Sequence, residues 1–305
     1  MEGHSLIGVP KMKPRSQIRY KSDILATRTS LGALRTIFTS PYRSLGVPEI
    51  ARTLGTSRAS VHRHIHGLVE EGMVREVVSG RRAFYRVDPA SPMAEPLFEL
   101  FNNDRYSQLD PQLRIHLGAL LEDMDLGLFT AIILFGSHAR GHATTRSDVD
   151  LCLVQRGDRY DPSTLEDHVG RYYAEFRLEP HGYSESAFDT VPDLAALDAI
   201  LFGISLHGHH YLFKRRSSLQ SISKANLLSR LEASRKNLER SHEVIGEARR
   251  YFEGIVEMSL AEVESVLSSG TTVSKRDVKA RRRFKERISS LEERLAGMGE
   301  VIWLG

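Results

Sequence analysis

Apolar residues along this chain change period several times, and each change marks an element. Leu31, Leu34, Ile37 and Phe38 recur at helical spacing and stop near Pro41, predicting a first helix. A second is expected from Val47-Pro48-Glu49, where the first turn tolerates proline, to about Gly55. A third follows the N-cap pair Thr56-Ser57 and runs to Gly72. MVREVV and RAFYRV then alternate with period two about a Ser79-Gly80 turn, predicting a hairpin. Residues 89–110 contain Pro and Asn and read as a linker with one short helical stretch, PLFELF.

From about 111 the pattern is mixed. Leu113, Leu117, Leu120 and Leu121 share a helical face. FTAIILFG, DVDLCLV and AEFRLEPHGY read as three strands, with a helix over roughly 163–173 between the last two. SAFDTVPDLAALDAILFGISLHG reads as a loop and a helix, and HHYLF as a closing strand. Beyond 217 the chain is helical in pattern. Leu231, Leu238, Ile245 and Phe252 recur every seven residues, and Phe284, Ile288, Leu291 and Leu295 share another face. Two or three amphipathic helices are expected there, packed on one another or on a second subunit as a homodimer. The expected divisions are a basic arm over 1–20, a first domain over 21–90, a linker over 91–110, a second domain over 111–216 and a helical tail over 217–305.

Charge sharpens this division. Residues 1–90 hold 15 Lys/Arg against 7 Asp/Glu, whereas residues 91–216 hold 11 against 19. The basic front suits a polyanion such as duplex DNA. The acidic middle suits cations or is a solvated surface. No apolar run is long enough to span a bilayer, and the opening residues lack a signal peptide's apolar stretch. The single cysteine, Cys152, excludes an intramolecular disulfide, and no Cys/His zinc spacing occurs. A cytoplasmic protein with no membrane partner is expected.

The segment LFGSHARGHATTRSDVDLCLV carries the candidate chemistry. A strand ends in Gly136-Ser137, where glycine lets backbone amides approach a phosphate and serine adds a hydroxyl. A short following helix would turn its N-terminus toward the same place. Arg140 suits a phosphate or an ion pair, and Gly141 closes the turn. Ser147 precedes Asp148 and Asp150, which lie two apart on a strand and so share a face, while Val149, Leu151 and Leu153 point into a core. Paired carboxylates of this kind hold Mg²⁺ together with substrate phosphate oxygens. His138 and His142 read as surface residues, as do His207, His209 and His210.

This pattern resembles the minimal nucleotidyltransferases of the DNA polymerase beta superfamily, over roughly residues 111–215. The resemblance implies transfer of a nucleoside monophosphate from an NTP. Gly136 and Ser137 would contact phosphate, with Arg140 and Ser147 beside them, and Asp148 and Asp150 would hold metal. It also implies a third acidic residue on a later strand, as metal ligand or general base. Alternation along AEFRLEPHGY puts Glu175, Arg177, Glu179 and His181 on one face. Glu179 is the choice there and Glu175 the runner-up.

VPEIARTLGTSRASVHRHIHGLVEEGMVREVVSGRRAFYRV resembles winged helix-turn-helix domains of transcription regulators, over about residues 30–90. Ile50, Ala51 and Leu54 would form the inner face of the first motif helix, and Val61, Ile65 and Leu68 that of the second. Ser57, Arg58, Ser60, Arg63 and His64 then face outward, where a recognition helix meets the major groove. Arg81 and Arg82 would stand at the wing tip against phosphate. The basic arm and the basic stretch 274–287 could add nucleic-acid contacts. The fold class is multidomain α/β plus α: a winged helix-turn-helix, a mixed-sheet nucleotidyltransferase domain and a helical tail. Two functions remain open at this point. One is a DNA-binding enzyme with an unidentified hydroxyl acceptor. The other is a transcription regulator whose second domain binds nucleotide or is inactive.

Overall fold

A computed structural model of the chain describes residues 25, 27–39, 44–145, 147–165, 171–172, 176–219, 221–267 and 284–303. The basic arm, Arg146, Glu175 and most of the stretch 274–287 lie outside the described residues.

Three helices and a small sheet come first. α1 (Arg28–Phe38) starts where the Thr27 hydroxyl accepts the Ser30 amide at 3.1 Å. β1 (Leu45–Gly46) leads into α2 (Val47–Leu54), which ends on Gly55 in the left-handed region. α3 (Arg58–Glu70) is capped by Ser57, whose hydroxyl accepts the Ser60 amide at 3.1 Å. β2 (Val74–Ser79) and β3 (Arg82–Val87) form the hairpin. Ser79 pairs with Arg82, so the turn residues are Gly80 and Arg81, one position later than the pattern predicts. Gly80 has φ 60°, which suits a tight hairpin turn. β1 adds to the far side of β3. Leu34, Ile37, Ile50, Val61, Ile65, Leu68 and Tyr85 fill the core between helices and sheet.

The expected linker is largely a helix. α4 runs from Ala94 to Ser107 and buries Leu97, Phe98, Phe101 and Asn102. Phe101 packs against Phe38 of α1, with ring centroids 5.4 Å apart, and Phe98 against Phe213, at 5.5 Å. Asn102 exchanges two hydrogen bonds with the backbone of Ser205, at 2.8 and 2.7 Å. Arg105 donates to the carbonyls of Ala139, Phe202 and Gly203. The helix therefore packs on both neighbouring domains.

The second sheet has the order β6-β5-β4-β7, with β5 and β6 parallel and the other pairs antiparallel. It comprises β4 (Phe129–Leu134), β5 (Val149–Gln155), β6 (Leu178–Ser184) and β7 (Ile204–His207). α5 (Pro111–Asp123) covers one face, packing Leu113, Leu117 and Leu120 with Ile132, Leu134, Leu151 and Leu153. On the other face Ala131, Ile133, Cys152 and Val154 meet Ala196, Leu197 and Ile200 of α8 (Leu194–Phe202). The one-turn helix α6 (Gly136–Ala139) follows β4, and the short α7 (Glu185–Asp189) follows β6.

ISLH, not HHYLF, is the closing strand, and HHYLF opens α9 (His209–Ser218). Gly208, with φ 74°, lies so close to the Thr130 carbonyl that a side chain would collide with it, and the chain leaves the sheet there. A helix then brings the buried Arg216 to the carbonyls of Ile200 and Gly203, at 2.6 and 3.1 Å. Burial pulls its pKa down to about 9, still above neutrality.

The tail comprises β8 (Ser221–Ser223), α10 (Lys224–Glu243), α11 (Gly246–Leu267), α12 (Phe284–Ala296) and β9 (Val301–Trp303), with β8 and β9 antiparallel. Leu231, Leu238, Val256, Leu260, Ile288, Leu291 and Leu295 are buried among these helices. Ile245 is 89% exposed, at the turn that Gly246 makes with φ 67°. The heptad stripe is thus interrupted, and its first two leucines are buried within the chain itself. No helix among the described residues is long and apolar enough to cross a membrane.

Candidate active site and nucleic-acid surface

The edge of β4 folds back over β5 at Gly136. The Phe135 amide donates to the Asp150 carbonyl at 3.0 Å. Gly136 has φ 66°, and a Cβ there would collide with the Asp150 carboxylate. Glycine suits the backbone conformation, and any side chain here would have to displace the Asp150 carboxylate. Ser137 follows, half-buried in the first turn of α6. That helix is a single turn, so it offers amides and a hydroxyl rather than a developed dipole.

Strand register assembles the acidic group. In the parallel pair, Asp150 stands beside Glu179 and Cys152 beside His181. Glu179 and His181 are two apart and share a face. Ligand atoms of Asp150, Glu179 and His181 all lie within 4.8 Å of one another. The Phe135 and His181 rings pack with their planes inclined at 70° and their centroids 5.1 Å apart. Asp148 lies just before β5, 49% exposed, with the Arg177 guanidinium at 4.0 Å. Arg177 has φ 54°, a conformation costly for a residue with a side chain, and its carbonyl accepts the Val149 amide at 3.0 Å. Burial, then the charges of Glu179 and Asp148, push the Asp150 carboxyl up to about 6.

Other expected residues are placed differently. Arg140 pairs with Asp198 of α8 at 2.7 Å and lies over the Phe202 ring at 4.3 Å, with only 12% of its side chain exposed. Asp198 also pairs with Arg230 of α10. Arg140 therefore ties α6 to the helical layer, the ion-pair alternative of the sequence reading. The Ser147 hydroxyl accepts the Thr144 amide at 2.9 Å and closes the loop before Asp148. His138 is half-buried and its Nε2 is enclosed without a hydrogen-bond partner. Burial draws its pKa below the usual value. It lines a cleft of about 600 Å³ bordered by Asp110, His116, Ser147, Phe176 and Arg177. His116 stacks on Phe176 there, at 5.4 Å.

The residue that sequence reasoning missed is His181. Alternation already put it on the face of Glu179, but strand register alone sets it beside the carboxylates.

On the first domain, α3 turns Val61, Ile65 and Leu68 inward and leaves Arg58 and Arg63 exposed. Ser60 and His64 are half-buried, and the His64 ring meets the Ser60 carbonyl at 2.7 Å. Arg81 and Arg82 are exposed at the hairpin tip. Also exposed on α3 are His62 and His66, whose rings pair at 4.5 Å.

Residues 37–77 match the IclR helix-turn-helix domain family, and residues 119–192 match the nucleotidyltransferase domain family. No curated protein matches the chain. No solved structure matches it. The chain therefore carries a DNA-binding helix-turn-helix domain followed by a nucleotidyltransferase domain, ahead of a helical C-terminal region.

Proposed function

We propose that the chain is a DNA-binding enzyme of the cytoplasm that transfers a nucleoside monophosphate from an NTP to a hydroxyl acceptor. The observation that carries this reading is the carboxylate pair Asp150–Glu179, set side by side beneath the Gly136 turn. The donor set fits a divalent metal such as Mg²⁺. The Asp150 carboxyl, raised to about 6 by burial and then by the charges of Glu179 and Asp148, gains by sharing a cation with Glu179. Asp150 and Glu179 would hold it, and Asp148, which lies outside that close group beside Arg177, would join them by turning its side chain. When bound, it supplies positive charge that favours ionisation of the attacking hydroxyl and offsets the charge of the leaving pyrophosphate.

The chain's own residues do the rest. The amides after Gly136 and the Ser137 hydroxyl hold and orient the phosphates. Arg140 keeps that turn in place through Asp198, and Ser147 fixes the loop that delivers Asp148. The acceptor oxygen forms a bond to the α-phosphorus, the bond to pyrophosphate breaks, and the acceptor proton passes to a carboxylate. Glu179 is the residue for that proton. Glu179→Gln is expected to lose transfer while NTP still binds; full transfer by that variant would remove Glu179 from the chemistry.

On the DNA side, Arg58 and Arg63 read base edges, with Ser60 and His64 beside them, and Arg81 and Arg82 meet backbone. The acceptor is sought by incubating the protein with labelled NTPs, divalent metal and a cell extract, and following the label. Failure to label any acceptor, with NTP binding intact, would favour the second reading, a regulator that senses nucleotide.

A further inference from the structure

We propose that His181 is itself a ligand of the metal, which makes the centre a mixed carboxylate–imidazole site selective for a first-row transition dication over Mg²⁺. The inference rests on the reading above that Asp150 and Glu179 hold metal, and it concerns which metal and through which third group.

Three observations converge. The β5–β6 register sets Asp150 against Glu179, and the strand period returns His181 to the same face. The three side chains offer ligand atoms within 4.8 Å of one another. Donors about 2.1 Å from one ion stand at most about 4.2 Å apart, so small side-chain rotations close the set. The imidazole is also positioned. Phe135, the residue before the Gly136 turn, packs its ring against it, with the two ring planes inclined at 70°.

The alternative is that the imidazole only pairs with Glu179. The His181 Nε2 to Glu179 Oε1 distance is 3.9 Å, too long for a hydrogen bond but suited to two groups flanking an ion. Only 31% of the His181 side chain is exposed, so the ring sits in the group rather than out in solvent.

The chemistry of the donors follows. Mg²⁺ prefers oxygen and sheds water reluctantly. Imidazole nitrogen favours transition dications, whose affinities exceed those of the hard alkaline-earth ions at such sites. Mn²⁺ accepts both carboxylate and imidazole, and it is paramagnetic, which makes it the probe.

The test is pulsed electron paramagnetic resonance on the untagged full-length chain loaded with one equivalent of Mn²⁺, without nucleotide. The expected result is a ¹⁴N coupling of a directly bound imidazole, replaced by a ¹⁵N signature when the protein is made with ¹⁵N-histidine, and absent in His181→Gln. In calorimetry the preference for Mn²⁺ over Mg²⁺ falls about tenfold or more in that variant. The isotope exchange uses the unaltered chain and establishes that a histidine binds, and a second variant, His181→Asn, assigns that histidine where His181→Gln folds poorly. Bound Mn²⁺ without nitrogen coupling, or coupling that persists in a folded His181→Gln variant, overturns the proposal. The carboxylate site survives that outcome, provided Asp150→Asn abolishes Mn²⁺ binding. Absence of any Mn²⁺ binding overturns both.

Discussion

At the scale of single residues, Asp150 is held at a cost. Its carboxyl is raised to about 6 from the ordinary 3.8, chiefly by burial and then by Glu179 and Asp148. A group that binds its proton more tightly when folded weakens the fold once that proton leaves. The penalty is absent below about pH 4, grows between there and about 6, and is complete above. Metal-free Asp150→Asn is therefore expected to melt higher than the unaltered protein at pH 7 to 8 in a chelator, with the gain vanishing as pH falls through that window. Thermal unfolding across pH checks this, and a constant difference at every pH would contradict it. Gly136 makes the opposite case. Gly136→Ala puts a methyl group into the Asp150 carboxylate at a positive φ, and it should lose about 1–3 kcal/mol in denaturant unfolding. The closeness of Gly136 and Asp150 was legible in the sequence because one short motif spans them, whereas Glu179 was one of two choices on a distant strand, and only the β5–β6 register sets it beside Asp150. Arg140 was only half legible, since its partner Asp198 is 58 positions away.

At the scale of elements, the helices of the first domain could be read because their caps and periods agree. α4 could not. Asn102, Asn103 and Asp104 are weak helix formers and look like linker, but Asn102 is satisfied by β7, which no local pattern reveals. Asn102→Ala leaves the buried Ser205 amide without that partner and should cost about 1–3 kcal/mol, read from denaturant unfolding. A loss below a few tenths would mean α4 is a passive connector. HHYLF was misread because a short apolar run suits strand or helix equally, and Gly208 decides between them through contacts with a distant strand. α3 and the hairpin make separable predictions for DNA. Arg81→Ala and Arg82→Ala should weaken binding to all duplexes alike and flatten the salt dependence. Arg58→Ala and Arg63→Ala should cost about 1–3 kcal/mol of discrimination at the preferred site. Selection from random duplexes distinguishes the two. No enriched sequence, with weak binding unaffected by either helix substitution, would remove α3 as the reader.

At the scale of the molecule, the three regions are joined by specific contacts. Arg105 of α4 holds the carbonyls at the end of α6 and α8. Asp198 joins Arg140, just past the phosphate turn, to Arg230 in the tail. Removing the tail would thus leave Asp198 without one of its two arginines. The sequence showed that the tail is helical but not what its stripe packs against. Because α10 through α12 bury Leu231 and Leu238 together with Ile288 and Leu291, these leucines are not offered to a second subunit.

The proposed function turns on nucleotidyl transfer at the carboxylate site beneath the Gly136 turn. The direct measurement follows label from [α-³²P]NTPs into macromolecules or small molecules of a cell extract, with Mg²⁺ or Mn²⁺, comparing the unaltered protein with folded Asp150→Asn. The expected result is a labelled acceptor whose formation falls by about a hundredfold or more in the variant, the scale on which loss of one charge-stabilising group is felt. Equal labelling by the two proteins would contradict it.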